Sequence, residues 1–335
     1  KNLETGISVG KEFYLDVHSK LRHKEPIFSK KFKDVVEAFI QEQRKLVGLN
    51  KSLGRWVCIK VHTNHMLGFV GENTNLLEVQ NDNWKDYYSY RKTIHPNVVN
   101  GSLLNEKYTI GSFYKFCVSK KYLPYSYVPE FPKIDSESRR REHYTEKEWR
   151  TIYTFLRTND WLKHENQKTE ELRKFIRDFV IILINTGLRP KELRMVKWEN
   201  VDIEKDTDKE SSKLPVRLKL GKHQTKTKKS RVVIGRRGDV FNRVKTYSKF
   251  TKPTDFIFTD NDTREPILRD RYYTNWRFLI KSIGFDKVRR DNSFYPLRHS
   301  YCTWRLQRGV DILSLSKNMG TSIQMIQKHY EHVIM

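Results

Sequence analysis

The sequence predicts a mainly α-helical chain with one small antiparallel β-sheet, and three observations predict it. Phe32, Val35, Val36, Phe39 and Ile40 recur at helical spacing on one face of "SKKFKDVVEAFIQEQRKL". The apolar run "FVIILIN" at 179–185 reads as a buried helix that stops at the permissive backbone of Gly187. In "LPVRLKLGKHQTKTKKSRVVIG" the period changes to two: Val216, Leu218 and Leu220 point one way, and "RVVI" makes the return strand of a hairpin.

In chain order, the first thirty residues, including "KEFYLDVHSKLRHK", carry no assignment. A helical region opens near residue 30 and closes with "LLNEKYTIGSFYKFCVSKKYLP". There Leu104, Tyr108, Gly111 and Tyr114 read as a core stripe alternating with lysines. "VPEFPKIDSESRRREH" combines prolines, serines and a charge run and reads as a linker, its arginines suiting a solvated tether as well as phosphate contact. A second domain starts at "YTEKEW", where Thr145 and Glu148 have capping-box spacing. After the hairpin, "DFIFTD" reads as a short strand-like piece and "YYTNWRFLIKSIGF" as a helix. The segment from "YPLRHSYCTWRL" onward reads as three short helices punctuated by Gly309 and Gly320. The expected division is residues 1–29 unassigned, 30–130 a helical domain, 131–143 a linker and 144–335 a second domain, with no internal repeat.

Charge narrows the function. With 65 Lys plus Arg against 40 Asp plus Glu, the formal charge is +25, which favours a polyanionic partner, nucleic acid first. The longest strongly apolar run is far shorter than a membrane span, and "KNLETGISVG" has no apolar signal core, so no membrane is expected and the expected location is cytoplasmic. Cys58, Cys117 and Cys302 are scattered without a Cys-x-x-Cys pair. His62 with His65 and His329 with His332 have ligand-like spacing but no third ligand, so no metal is expected. Phosphate-cradling and dinucleotide glycine motifs are absent, so no cofactor is expected and the chemistry falls to side chains alone. From Lys219 to Arg237 there are eight Lys or Arg and no acidic residue, a loop that water or phosphates must surround.

In "TGLRPKELRMVKW", Arg189 sits between two helical patterns, with Pro190 suited to the first turn of the second. An arginine where core elements meet needs an anionic partner, from the protein or from a ligand. "TGLRPKELRMVKWENVD", "QTKTKKSRVVI", "YPLRHSYCTWRL" and "MGTSIQMIQKHYEH" follow one another in the order and spacing of the tyrosine recombinase (phage integrase) family, which the chain resembles over roughly residues 30–335. The resemblance implies a two-domain, C-shaped DNA clamp in which residues 30–130 form the helical core-binding domain and residues 144–335 the catalytic domain.

It also assigns roles. Arg189 and Arg298 match the arginines that hold the scissile phosphate, a task suited to planar, permanently charged, bidentate donors. Glu192 matches an orienting acidic residue, with a plain helix-surface glutamate as the alternative. Tyr330 matches the nucleophile, which leaves a covalent 3′-phosphotyrosine and frees a 5′-hydroxyl. Lys226 matches the lysine that protonates the departing oxygen, with Lys228 and Lys229 close in register. The tyrosyl ester conserves the bond energy, so neither ATP nor a cofactor is implied. Two positions depart from the pattern: Tyr295 stands where the family commonly has histidine, and Thr321 where it has histidine or tryptophan. Thr321 is placed either to donate to phosphate or to cap the helix beginning near Ser322. His299 and His332 lie close enough in sequence to compensate. Lys222, Lys228, Lys229, Arg231 and His299 are the expected DNA contacts.

The implied partner is double-stranded DNA with an inverted-repeat core site, bound by four protomers that are monomers in solution, with accessory DNA-bending or directionality proteins and a nucleoid location when bound. The implied activity is site-specific integration or excision of a mobile element. A type IB topoisomerase, a telomere resolvase and a DNA-binding accessory protein of the same fold are the alternatives. Only "EHVIM" follows Tyr330 and no methionine precedes Lys1, leaving room for an upstream arm-binding domain or a longer tail.

Overall fold

The computed structural model describes residues 3–23, 30–124, 127–135, 142–204, 214–225, 228–288 and 291–334. The chain divides into two compact units, Lys1–Ser138 and Arg139–Met335. The division falls inside the stretch read as a linker, whose arginines at 139–141 lie outside the described residues.

The first unit is helical. The unassigned N-terminal stretch forms α1 (Leu3–His23), which leaves Leu3, Ile7, Phe13, Tyr14 and Leu15 exposed. Then come α2 (Phe32–Lys45), α3 (Leu53–Val70), α4 (Tyr87–Ile94) and α5 (Asn100–Ser119). As the periodicity predicts, α2 buries Phe32, Val35, Val36 and Phe39, each worth about 2 kcal/mol against exposure. Phe39 meets Phe113 of α5 edge-on, with ring centroids 5.6 Å apart.

The stripe expected on α5 is corrected in part. Tyr114 is buried as expected, but Tyr108 is exposed and Leu104 and Gly111 are half-buried, whereas Leu103, Glu106, Ile110, Phe113 and Cys117 face inward. The helix turns its more apolar ridge to the core and takes one carboxylate with it. Glu106 is buried because Arg91 grips it at 2.8 and 3.1 Å and the Tyr87 hydroxyl donates to it at 2.6 Å.

The second unit opens with α6 (Glu146–Phe155), where Thr145 Oγ1 accepts from Glu148 N as the capping box predicts. Next are α7 (Asn159–Leu162), α8 (Gln167–Thr186) and α9 (Pro190–Arg194). Three antiparallel strands in the order β1 (Val201–Ile203), β2 (Val216–Leu220) and β3 (Arg231–Gly235) follow. Val216, Leu218 and Leu220 are all buried, and Leu218 pairs with Val233. The rest is helical: α10 (Gly238–Tyr247), α11 (Arg269–Ser282), α12 (Tyr295–Gln307), α13 (Ile312–Met319) and α14 (Ile323–Ile334).

Helix α8 enters the core with Leu172, Phe175, Ile176 and Phe179 on its inner face, and from Phe179 to Leu183 it is buried without a break. "DFIFTD" forms no strand. Isolated bridges from Phe256 to Lys197 and from Thr259 to Pro266 hold it, while Ile257 and Phe258 fill the core. Among the described residues, no helix is long and apolar enough to cross a membrane.

Candidate active site

Two left-handed glycines set the geometry. Gly187 ends α8 at φ +66°, and a Cβ there would lie 2.3 Å from the Tyr301 ring. Gly320 ends α13 at φ +62°, where a Cβ would lie 2.7 Å from the Arg231 guanidinium. Each turn therefore brings its carbonyls close to arginines from elsewhere in the unit.

Arg298, buried on α12, donates from Nη1 to the Gly187 carbonyl at 2.5 Å and from Nη2 to the Met319 carbonyl at 2.9 Å. Arg189, the residue before α9, donates from Nη2 to the Gly320 carbonyl at 2.7 Å. The arginines thus cross: the turn carrying Arg189 anchors Arg298, and both reach the end of α13. Burial, with the charge of Arg189, pulls the Arg298 guanidinium down to about 10. Its two anchors are carbonyls, which satisfy hydrogen bonds without supplying a negative charge.

Glu192, one turn beyond Arg189, is buried rather than on a helix surface. It accepts from Arg189 Nη1 at 2.8 Å and from the Arg189 backbone at 3.1 Å. Arg231 of β3 closes on its other side. Burial alone would raise the Glu192 carboxyl, but the Arg231 bond and the charges of Arg231 and Arg189 outweigh it and hold the carboxyl below the usual range. Three guanidiniums against this one carboxylate leave an excess of positive charge, the condition for binding an anion.

Tyr330 lies on α14, buried among Tyr301, Cys302, Leu315, Met319 and Ile326. Its hydroxyl is hydrogen-bonded to His299 Nδ1, on the residue that follows Arg298. The site residues Arg189, Glu192, Arg298 and Tyr330 therefore meet around the ends of α8 and α13.

The others are placed differently. Tyr295 begins α12 with its side chain exposed and its ring 6.4 Å from that of His299. Thr321 does not cap α14; Ser322 does, its hydroxyl accepting from Met325 N at 3.3 Å. Lys222, Lys228 and Lys229 are exposed on the β2–β3 loop, where Thr225 Oγ1 donates to the Lys229 carbonyl at 2.9 Å. Lys226 lies outside the described residues, as does the side chain of His332. Arg231 and His299, expected to contact DNA, have Glu192 and Tyr330 as partners within the unit.

Asn318, beside the candidate site, is a residue that the sequence did not flag. Its Oδ1 accepts from Ile234 N at 2.7 Å and its amide donates to the Ile234 carbonyl at 3.2 Å and to the Tyr301 hydroxyl at 2.9 Å. It acts as one residue of an added strand and fixes α13 to β3. No local pattern signals such a role, because both of its partners are distant in sequence.

Comparison with known proteins bears on the family and the fold. The integrase of Salmonella phage P22 is 27% identical over 183 residues, covering 52% of this chain and 43% of that protein. The tyrosine recombinase XerA of Saccharolobus solfataricus is 28% identical over 171 residues, covering 50% of each. The chain thus spans about half the length of these curated relatives. Among solved structures, the XerH recombinase in its post-cleavage complex with palindromic difH aligns with a TM-score of 0.66 at 13% identity, covering 89% of this chain and 80% of that one. A lambda integrase dimer on a core site aligns at 0.64 and 12% identity, covering 94% and 80%. These two alignments extend the shared fold over most of the chain. The residue pattern of the phage integrase family matches residues 143–335, more than half of the sequence, and the chain belongs to that family.

Proposed function

We propose that this protein cleaves and rejoins double-stranded DNA at a specific inverted-repeat site, as a tyrosine recombinase that integrates or excises a mobile element. The observation that carries this reading is the Tyr330 hydroxyl bonded to the residue next to Arg298, which brings a nucleophile beside a buried, carbonyl-anchored guanidinium. Arg189 and Arg298 hold the nonbridging oxygens of the scissile phosphate and stabilise the charge that accumulates on it during attack. Tyr330 forms the 3′-phosphotyrosine and the 5′-oxygen departs, protonated by Lys226. Glu192, clamped by Arg231, holds Arg189 in position. Attack by a 5′-hydroxyl of a second strand reverses the step and completes exchange.

In this reading residues 30–130 form a core-binding domain, and the exposed Lys222, Lys228 and Lys229 contact backbone phosphates. Exchange between two duplexes requires four active sites, hence a tetramer assembled on DNA from monomers, with accessory DNA-bending or directionality proteins and a nucleoid location when bound. Relatives described as an integrase and a recombinase, and DNA-bound structural neighbours, support the reading.

The test is capture of covalent protein–DNA adducts after incubation with fragmented genomic DNA and denaturation, with Tyr330→Phe as the control. Adducts that vanish in the control and cluster at one inverted repeat are expected. Relaxation of supercoiled plasmid without a preferred sequence would move the assignment to a topoisomerase.

A further inference from the structure

We propose that His299 is the general base that deprotonates Tyr330, an inference that rests on the nucleophilic role given to Tyr330 above. A phenol titrates near 10, so attack at neutral pH needs a group to receive its proton. The Tyr330 hydroxyl is bonded to Nδ1 of the buried His299, and the two rings lie 5.9 Å apart and tilted. Tyr295, at the position the family gives to histidine, is exposed at the start of α12. The imidazole of this site thus comes from one helical turn further on, where α12 faces α14.

Among the described residues, the titratable and charged groups around the pair include Tyr295, Arg298 and Cys302 on α12 and His329 on α14. Arg189, Glu192 and Arg231 come from the α8–α9 turn, α9 and β3. Cys302 does not compete for the proton, because burial pushes its thiol up to about 12.

The step balances. The Tyr330 proton passes to neutral His299 Nδ1 as the phenolic oxygen bonds to phosphorus, and the bond to the 5′-oxygen breaks with a proton supplied to that oxygen by the separate general acid. In rejoining, the imidazolium returns its proton to the departing phenolate.

The experiment measures single-turnover cleavage of a nicked duplex built on the sequence recovered at the adducts, from pH 5 to 9. Wild type should lose rate as pH falls, by about tenfold per pH unit once the imidazole is protonated. His299→Asn, whose amide reaches the Nδ1 position without its basicity, should be about a hundredfold slower or worse and lose that acid limb. A 5′-bridging phosphorothiolate, whose sulfur departs without a proton, should leave the His299→Asn defect in place while erasing that of Lys226→Ala. A His299→Asn rate within threefold of wild type, an unchanged pH profile or rescue by the phosphorothiolate would overturn the proposal. If His299→Asn does not fold, His299→Gln, which keeps an amide without a basic nitrogen, decides: a rate within threefold of wild type rejects His299 as the base. Absence of any wild-type adduct removes the recombinase reading itself, an outcome distinct from all of these.

Discussion

Arg231 and Glu192, thirty-nine residues apart, form a bidentate pair in which Nη2 lies 2.7 Å from Oε2 and Nη1 lies 3.3 Å from Oε1. The pair joins strand β3 to helix α9 and leaves Arg189 bound to the same carboxylate. Removing Arg231 leaves a buried carboxylate with one cation in place of two. Arg231→Ala should cost about 3 kcal/mol in urea denaturation, and covalent cleavage should fall with it as Arg189 loses its fixed support. Stability within about 0.5 kcal/mol of wild type would show that Arg189 alone suffices.

The two glycine turns differ in what a methyl group would meet. At Gly187 it would run into the Tyr301 ring, packed in the core, whereas at Gly320 it would meet the guanidinium of Arg231, the far end of a long side chain held by Glu192. Gly187→Ala should cost about 3 kcal/mol, combining left-handed strain with overpacking, and Gly320→Ala about 1 to 2 kcal/mol. Comparison of the two denaturation midpoints checks the order, and a larger loss at Gly320 would contradict it.

Acid sensitivity should reside partly in the first unit. Burial would raise the Glu106 carboxyl, but bonds from Arg91 and Tyr87 and the charge of His65 hold it below its usual value. A carboxyl lowered in the folded state stabilises fully above its unfolded pKa, near 4.3, and loses that contribution as pH falls through the lower folded value. Glu106→Gln should lose about 3 kcal/mol at pH 7 and show a flatter stability profile below pH 4.3. Parallel profiles for the two proteins between pH 3 and 5 would argue against it.

The start of α14 separates neighbouring hydroxyls. Ser322→Ala should cost about 1 kcal/mol through loss of the cap, while Thr321→Ala should stay within about 0.5 kcal/mol. Thermal denaturation of the two variants distinguishes them, and equal losses would return Thr321 to the capping role.

The exposed loop lysines should act through phosphate charge. Replacing Lys222, Lys228 and Lys229 with glutamine should weaken DNA binding and reduce the slope of log affinity against log salt by about 2 to 3. Fluorescence anisotropy on one duplex from 50 to 200 mM salt measures it, and an unchanged slope would remove the lysines from the interface.

Features carried by local pattern were readable in the sequence. The α2 stripe, the capping box before α6, the glycine stops after α8 and α13 and the β2–β3 alternation each depend on residues a few positions apart. Readings that depend on distant partners went astray. On α5 the stripe read from the sequence held at Tyr114 but not at Leu104 or Tyr108, because the inward face is the one that meets Arg91 and Phe39 on other helices. "DFIFTD" has strand composition but meets only single bridges, so burial rather than pairing explains its apolar residues. At the site, the pairing of Arg231 with Glu192 was not legible, because nothing near either residue in sequence reveals the other.

The anchors of Arg298 and Arg189 are the carbonyls of Gly187, Met319 and Gly320, groups that every amino acid possesses. The grip on these arginines is therefore written in chain path rather than in side-chain identity. Met319 can drift to another apolar residue without erasing its contact with Arg298, so relatives can diverge widely around the two arginines while orienting them alike. A substitution that shifts either turn, by contrast, disables the site without touching any reacting group, and scanning only chemically functional side chains would overlook it.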